Sequence, residues 1–243
     1  MAHTRRIYCP DLSGPQADLP AEEANHALNV LRMRVGDTVE LFDGMGSTAT
    51  GTITSAKRSD VALAISDLKA LPDRPGPVIN LAFAIPKGKR LDWLLEKATE
   101  LGAATLTPII FSRSIAGGNE LSASKRKRWL GHCISAAKQC RLDFLPELSG
   151  ITDLQTFLDA PADSLRLMGD LASETPALAT VLAGRQAPAI QILIGPEGDF
   201  TDQEKISAKN AGFIPVRLGH TTLRVETAAI ALLAGVIAVA ESQ

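Results

Sequence analysis

Aromatic residues are scarce in this chain: one tyrosine, two tryptophans and seven phenylalanines make up 4% of its 243 residues. Cysteine is scarcer, with Cys9, Cys133 and Cys140 only. An odd count without CxxC spacing argues against a disulfide framework and for a reducing, cytoplasmic setting. The four histidines form no HExxH and no Cys/His cluster, so no metal is expected. The longest apolar run, AAIALLAGVIAVA from Ala228 to Ala240, holds 13 residues, short of the ~20 that a membrane helix needs. The opening MAHTRRIYCPDLSG lacks an apolar stretch, so no secretory leader and no membrane association are expected.

What is present is 45% hydrophobic content, enough for one large domain or two small ones. The net charge of −2 is unevenly spread. Lys87 to Arg141 holds 11 Lys/Arg against 4 Asp/Glu, and Leu142 onward holds 6 against 13. Such a split reads either as one basic face for a polyanion or as ordinary solvated helix faces.

LPDRPGP (Leu71 to Pro77), with three prolines and a glycine, reads as a linker. Before it, RRIYC, TVELFDG, STATGTITSA and DVALAIS are short β-like runs, and PAEEANHALNVLRM carries helical spacing. Residues 1–71 are therefore expected to form a small β-barrel with one helix, 72–77 a linker, and 78–243 a second domain. In that domain VINLAFAI, TLTPIIF, SLRLMGDL, AIQILIG and IPVRLG are strands. KRLDWLLEKATELG, with Leu91, Leu94, Leu95, Ala98 and Leu101 on one face, is a helix that Gly102 ends. SASKRKRWLGHCISAAKQCR is another helix. Strands alternating with helices predict an α/β fold with a parallel sheet.

ILIGPEGDFTDQE, Ile192 to Glu204, joins a strand to a helix through a glycine loop. It is neither GxGxxG nor GxxxxGK[ST]. Thr201 and Glu204 fit a capping box, and Glu197 and Asp199 would repel a phosphate. The loop would tolerate an amine, a hydroxyl or a cationic centre, but by itself it reads first as an ordinary tight turn between strand and helix. LGHTTLRVETAAIALLAGVIA follows the same plan: strand, polar loop, then a helix apolar nearly all round. Arg224 and Glu226, at that helix start, are either an ion pair or parts of a site.

Together these two stretches resemble the signature loops of the RsmE-type rRNA methyltransferases of the SPOUT superfamily. HALNVLR (His26 to Arg32), the pair Arg5-Arg6, KGKRLDWLLEKATELG and SAAKQCR extend the resemblance over most of the chain. Two positions depart from the family pattern. Asp199 stands where a second glycine is expected, and Lys138-Gln139-Cys140-Arg141 where Glu-Gln is usual. The resemblance implies an S-adenosylmethionine-dependent enzyme that methylates N3 of a uridine, position 1498, in 16S rRNA or the small ribosomal subunit. It also implies a SPOUT-type parallel sheet with a deep trefoil knot, a PUA/OB-like N-terminal barrel and a homodimer.

By the same resemblance the cofactor lies among three loops: Met168-Gly169; Ile194, Gly195, Pro196, Glu197 and Gly198; and Leu218 to Leu223, in which Leu218, Gly219 and Leu223 are singled out. Gly195, Gly198 and Gly219 would allow close backbone approach; Met168 reads equally as core. Uracil N3 must lose a proton and its charge be stabilised, for which Arg141, Arg224 and Glu226 are the catalytic candidates. Glu197 reads nearer to scaffold. Arg5, Arg6, His26, Arg32 and Arg34 from the barrel, with Lys87, Lys89, Arg90 and Arg113 from the larger domain, are the RNA-binding candidates. Two rival readings are a SpoU-type ribose 2′-O-methyltransferase, disfavoured by LRVETA where a Ser-Leu-Asn stretch would stand, and a non-catalytic RNA-binding protein.

Overall fold

The structure, a computed structural model, describes residues 5–57, 60–114, 120–161 and 163–240. Two compact units form: residues 1–74 with 137–145, and residues 75–136 with 146–243.

The N-terminal unit is a five-stranded sheet of β1 (Arg6–Tyr8), β2 (Gln16–Asp18), β3 (Thr38–Phe42), β4 (Ser47–Lys57) and β5 (Asp60–Ala70), in the order β1-β3-β4-β5-β2. Its apolar residues alternate with polar ones, so Ile7, Val39, Leu41, Ile53, Val61 and Leu63 close over one core. Helix α1 (Ala21–Asn25) runs into a π-helical turn, His26–Val30, and buries Ala24 and Ala27 on that core.

The sequence division did not foresee that residues 137–145 join this unit. The reason lies at two glycines. Gly44 and Gly46 have φ of +79° and +101°, and the space a Cβ would take is filled by Leu145 and Phe144 respectively. Ion pairs from Asp143 to Arg6, Lys138 to Glu23 and Arg141 to Glu40 add to that join.

The C-terminal unit is a parallel sheet flanked by helices. Its strands are β6 (Val78–Ala84), β7 (Thr105–Ile110), β8 (Glu147–Leu148), β9 (Thr152–Asp153), β10 (Leu165–Gly169), β11 (Ala189–Ile194) and β12 (Ile214–Val216). The order is β12-β10-β11-β6-β7-β8, with β9 also on β7. Pro108, in β7, has no N–H to give. Pairing on that side accordingly passes from β8, at Thr105 and Leu106, to β9, at Ile109 and Ile110.

Helix α2 (Lys89–Glu100) buries Leu91, Leu94, Leu95 and Ala98, and Gly102 (φ +74°) follows its end as expected. Helix α3 (Ala123–Cys140) buries Trp129, Cys133, Ala136 and Ala137. The others are α4 (Leu154–Asp159), α5 (Leu178–Leu182), α6 (Asp202–Asn210) and α7 (Val225–Ala240). Because all the strands run one way, the loops after β10, β11 and β12 emerge together at their carboxyl ends, where ligands of open α/β sheets bind.

Candidate active site

Those three loops enclose a cleft of about 310 Å³. Of the residues expected at a cofactor, Gly169, Ile194, Gly195, Pro196, Glu197, Leu218 and Leu223 line it. Three do not. Met168 is fully buried core. Gly198 packs beside the Arg113 side chain, where a Cβ would make ordinary contact at 3.5 Å. Gly219 serves conformation, with φ of +75°. Sequence reasoning missed Asp170, Leu171, Ala228 and Leu232, which also line the cleft, as does Thr222 of the expected third loop. Asp170 and Leu171 directly follow a strand end, a signal that could have included them. Ala228 and Leu232 lie one helical turn apart on α7.

The GPEGDFTDQE loop is stapled residue by residue. A Cβ on Gly195 would meet the Phe200 ring at 2.6 Å, so glycine is needed there for packing against Phe200. Phe200 is buried edge-on to Phe111, with centroids 5.3 Å apart. Glu197 pairs with Arg90. Arg113 Nη1 donates to the carbonyl oxygens of Gly198 at 2.9 Å and Phe200 at 3.3 Å.

Asp199 holds φ of +60°, the left-handed conformation that the expected glycine would adopt freely. This costs an aspartate on the order of 1 kcal/mol. Its Oδ1 accepts from the Phe200 N–H at 2.8 Å and its Oδ2 from Lys205 Nζ at 2.9 Å. Aspartate therefore holds here a conformation that glycine would adopt freely, and adds a charge.

The capping box is complete: Thr201 Oγ1 accepts from Glu204 N, and Glu204 Oε2 from Thr201 N. Glu204 Oε1 also accepts from Ser112 N at 2.8 Å, tying α6 to the end of β7. Burial would raise the Glu204 pKa; the hydrogen bonds from Ser112 and Thr201 overcome it and hold the carboxyl below its ordinary value.

Arg224 and Glu226 are not an ion pair. Arg224 is exposed, and among the described residues its guanidinium has no partner. Glu226 is 7% exposed in the first turn of α7, and its Oε2 is buried without a hydrogen bond. Its neighbour Val225 lines both the main cleft and a smaller cavity shared with Lys87 and Arg113. Arg141, the third catalytic candidate, belongs to the N-terminal unit, at φ +60° just past α3 and paired with Glu40 at 2.8 Å.

The RNA candidates divide. Arg6 is a correction: its side chain is 3% exposed, pairs with Glu40 and Asp143, and lies over the Phe42 ring at 4.4 Å. Desolvated and neutralised inside its unit, it is unavailable to a polyanion. Arg90 and Arg113 are committed to the GPEGDF loop. His26 is half-buried, and burial, with Lys138 nearby, holds its pKa below the ordinary value. Arg5, Arg32, Arg34, Lys87 and Lys89 remain exposed.

Residues 74–237 match the RNA methyltransferase domain and residues 19–66 the RNA methyltransferase PUA domain. The ribosomal RNA small subunit methyltransferase E of Mycobacterium tuberculosis is 30% identical over 93% of this chain and 87% of that protein. The chain belongs to the ribosomal RNA small subunit methyltransferase E family. A member from Neisseria gonorrhoeae, solved bound to S-adenosyl methionine, is 31% identical with a TM-score of 0.83 and covers 96% of both chains. A methyltransferase from Legionella pneumophila, solved with the cofactor SAM, is 32% identical with a TM-score of 0.88 over 98% of both. As in this family, a parallel-sheet methyltransferase domain is joined here to a PUA-type β domain.

Proposed function

We propose that this chain binds S-adenosylmethionine in the cleft and transfers its methyl group to N3 of a uridine, position 1498, in 16S rRNA. The observation that carries this reading is the charge of the cleft: among the described residues its charged lining is Asp170, Glu197 and Asp199 alone. Arg90 pairs with Glu197 and the single Lys205 with both aspartates, so three carboxylates face two cations; the negative charge left over, with apolar walls from Ile194, Leu218, Leu223 and Leu232, suits a cationic nucleoside and disfavours a phosphorylated one. The cleft volume is that of a small-ligand site.

The bound cofactor supplies an electrophilic methyl group on a sulfonium. The chain supplies placement and charge. Backbone groups of the three loops hold the nucleoside, with the acidic lining on its hydroxyls and amine. Arg224, exposed and unpartnered beside the third loop, stabilises the negative charge that spreads over O2 and O4 when uracil N3 loses its proton. Glu226, buried with an unpartnered oxygen, takes that proton or orients the base. Arg5, Arg32 and Arg34 meet phosphates from the N-terminal unit and Lys87 and Lys89 those near the cleft; Arg141, paired with Glu40, is not counted among them.

The chain acts in the cytoplasm as a homodimer. On α7, Ala229 is buried, and a Cβ on Gly235 would strike Leu178 at 2.8 Å, so both are used within the chain. Ile230, Ala231, Ala234 and Ile237 are only half covered and Ala238 is exposed, which leaves an apolar strip for a second copy.

Two measurements test the reading. Calorimetric titration should give binding of S-adenosylmethionine and none of ATP; the reverse would end it. Mapping of modified nucleotides in small-subunit rRNA from a strain lacking the gene should show loss of one N3-methyluridine. Loss of a ribose 2′-O-methyl group instead would move the chain to the SpoU-type activity.

A further inference from the structure

Lys205, in the first turns of α6, reaches two of the three cleft loops at once. Its Nζ lies 3.2 Å from Asp170 Oδ1, just past β10, and 2.9 Å from Asp199 Oδ2, in the loop after β11. Both carboxylates line the cleft. Each also accepts from its own loop's backbone: Asp170 Oδ1 from Leu171 N at 2.9 Å, Asp199 Oδ1 from Phe200 N at 2.8 Å. Asp170 Oδ2 is engaged by the Thr175 hydroxyl at 3.3 Å. One ammonium thus joins two loop conformations that are separately fixed by their carboxylates.

The two arms differ in strength. The Asp170 side chain is 7% exposed and that of Asp199 60%. The first arm is therefore poorly screened and the second largely screened. Burial would raise the Asp170 pKa, and Lys205 overcomes that and holds it below the ordinary value. The third loop is tied to the first by another cation. Arg217 Nε donates to Thr175 O at 2.8 Å, and its Nη1 lies 3.4 Å from Gly219 O.

We propose that Lys205, with Asp170 and Asp199, is a clamp that fixes the spacing of the first two cleft loops before ligand enters, making Lys205 a positioning residue for the cofactor. This rests on adenosylmethionine being the cleft's ligand. Loops ordered in advance lose less conformational freedom on binding, and that saving appears as affinity. Asp199 then has a functional part: it holds a left-handed backbone and supplies the second anchor.

The test uses Lys205→Met, Lys205→Arg, Asp199→Gly and the double variant Lys205→Met/Asp199→Gly. Two readouts are taken: calorimetric affinity for S-adenosylmethionine and S-adenosylhomocysteine, and hydrogen exchange of the free protein. Lys205→Met should weaken both ligands about five- to tenfold, and in equal proportion, since the geometry is common to them. Asp199→Gly should cost roughly twofold, as only the screened arm is lost. The double variant should match Lys205→Met, and Lys205→Arg should recover most of the affinity. The Leu171 and Phe200 amides should exchange faster in Lys205→Met without ligand.

A charge effect without clamping would instead tighten the sulfonium ligand relative to the neutral product, and that result overturns the proposal. So do unchanged affinity in Lys205→Met and additive single effects. If the unmodified protein binds neither ligand, the cofactor assignment falls and with it this role for Lys205; faster exchange would then show only a structural bridge.

Discussion

At Gly195 one methyl group separates two accounts of the loop. An ideal Cβ there lies 2.6 Å from Cε2 of Phe200 and 2.9 Å from Cδ2 and Cζ, against the ~3.5–4.0 Å at which carbon atoms rest. Phe200 is 3% exposed and held edge-on by Phe111, so the ring cannot swing away freely. Gly195→Ala should therefore cost about 1–3 kcal/mol of stability, the usual range for an overpacked core. For a chain of this length that lowers Tm by roughly 2–4 °C per kcal/mol. Cofactor affinity should fall with it, because a displaced ring moves the segment from Pro196 to Asp199. Thermal melts and calorimetric titration of Gly195→Ala, Phe200→Leu and the double variant decide the matter. The double variant should recover part of both losses, and Gly198→Ala, with 3.5 Å of clearance, should be nearly silent. A Gly195→Ala protein that melts like the parent but has lost its cofactor would refute the packing account, and the methyl group would be filling ligand space.

Arg224→Ala should leave Tm unchanged, since the side chain is exposed and unpartnered, yet slow methyl transfer on the order of 10²–10³-fold; an equal loss of cofactor affinity would argue against its role on the uracil anion. Glu204 has a folded pKa below its ordinary 4.5, so its stabilisation is present above about pH 4.5 and is lost as pH falls through the depressed value. Glu204→Gln should lower Tm at neutral pH and flatten the acid limb of a Tm-against-pH profile; an unaltered limb contradicts this. Arg5→Ala with Arg32→Ala should weaken RNA binding and flatten its salt dependence with Tm kept, whereas Arg6→Ala should lower Tm. Ala234→Glu should convert a dimer to monomers in light scattering, and an unmodified protein that is monomeric at micromolar concentration would remove the dimer.

Features written locally were legible in the sequence. The α2 face, the glycine ending it and the Thr201–Glu204 capping box each depend on residues within about one turn of one another. The parallel sheet was legible because strands buried on both faces read as continuous apolar runs. Features that need distant partners were not. Arg6 reads like Arg5 until β1 is seen in parallel register with β3, which sets Arg6 opposite Glu40. Residues 137–145 continue a helix in sequence, but Phe144 and Leu145 fill the space left by Gly44 and Gly46, nearly a hundred positions earlier. The π-helical turn at His26–Val30 has the spacing of an ordinary helix. A knot, expected from the resemblance alone, has no local signature, because threading is a property of the path and not of any residue.

The charge split seen in the sequence has a mixed meaning once its partners are known. Several cations of the basic stretch are consumed internally: Arg90 by Glu197, Arg113 by loop carbonyls, Arg128 by Asp92, Lys138 by Glu23 and Arg141 by Glu40. Within the C-terminal unit the pair Arg90–Glu197 joins the basic stretch to the acidic half directly. A pairing of that kind contributes to loop position and releases no counterion when RNA binds. Formal charge therefore overstates the polyanion surface. With Arg6 withdrawn as buried and Arg90 and Arg113 committed, the exposed candidates are Arg5, Arg32, Arg34, Lys87 and Lys89. At about −0.7 per phosphate contact on single-stranded nucleic acid, these give a log–log salt slope of roughly −3.5 at most. The eight arginines and lysines first assigned to RNA would give roughly −5.6. The difference is large enough for a binding isotherm at several salt concentrations to separate a surface built from the exposed cations from one built from all eight.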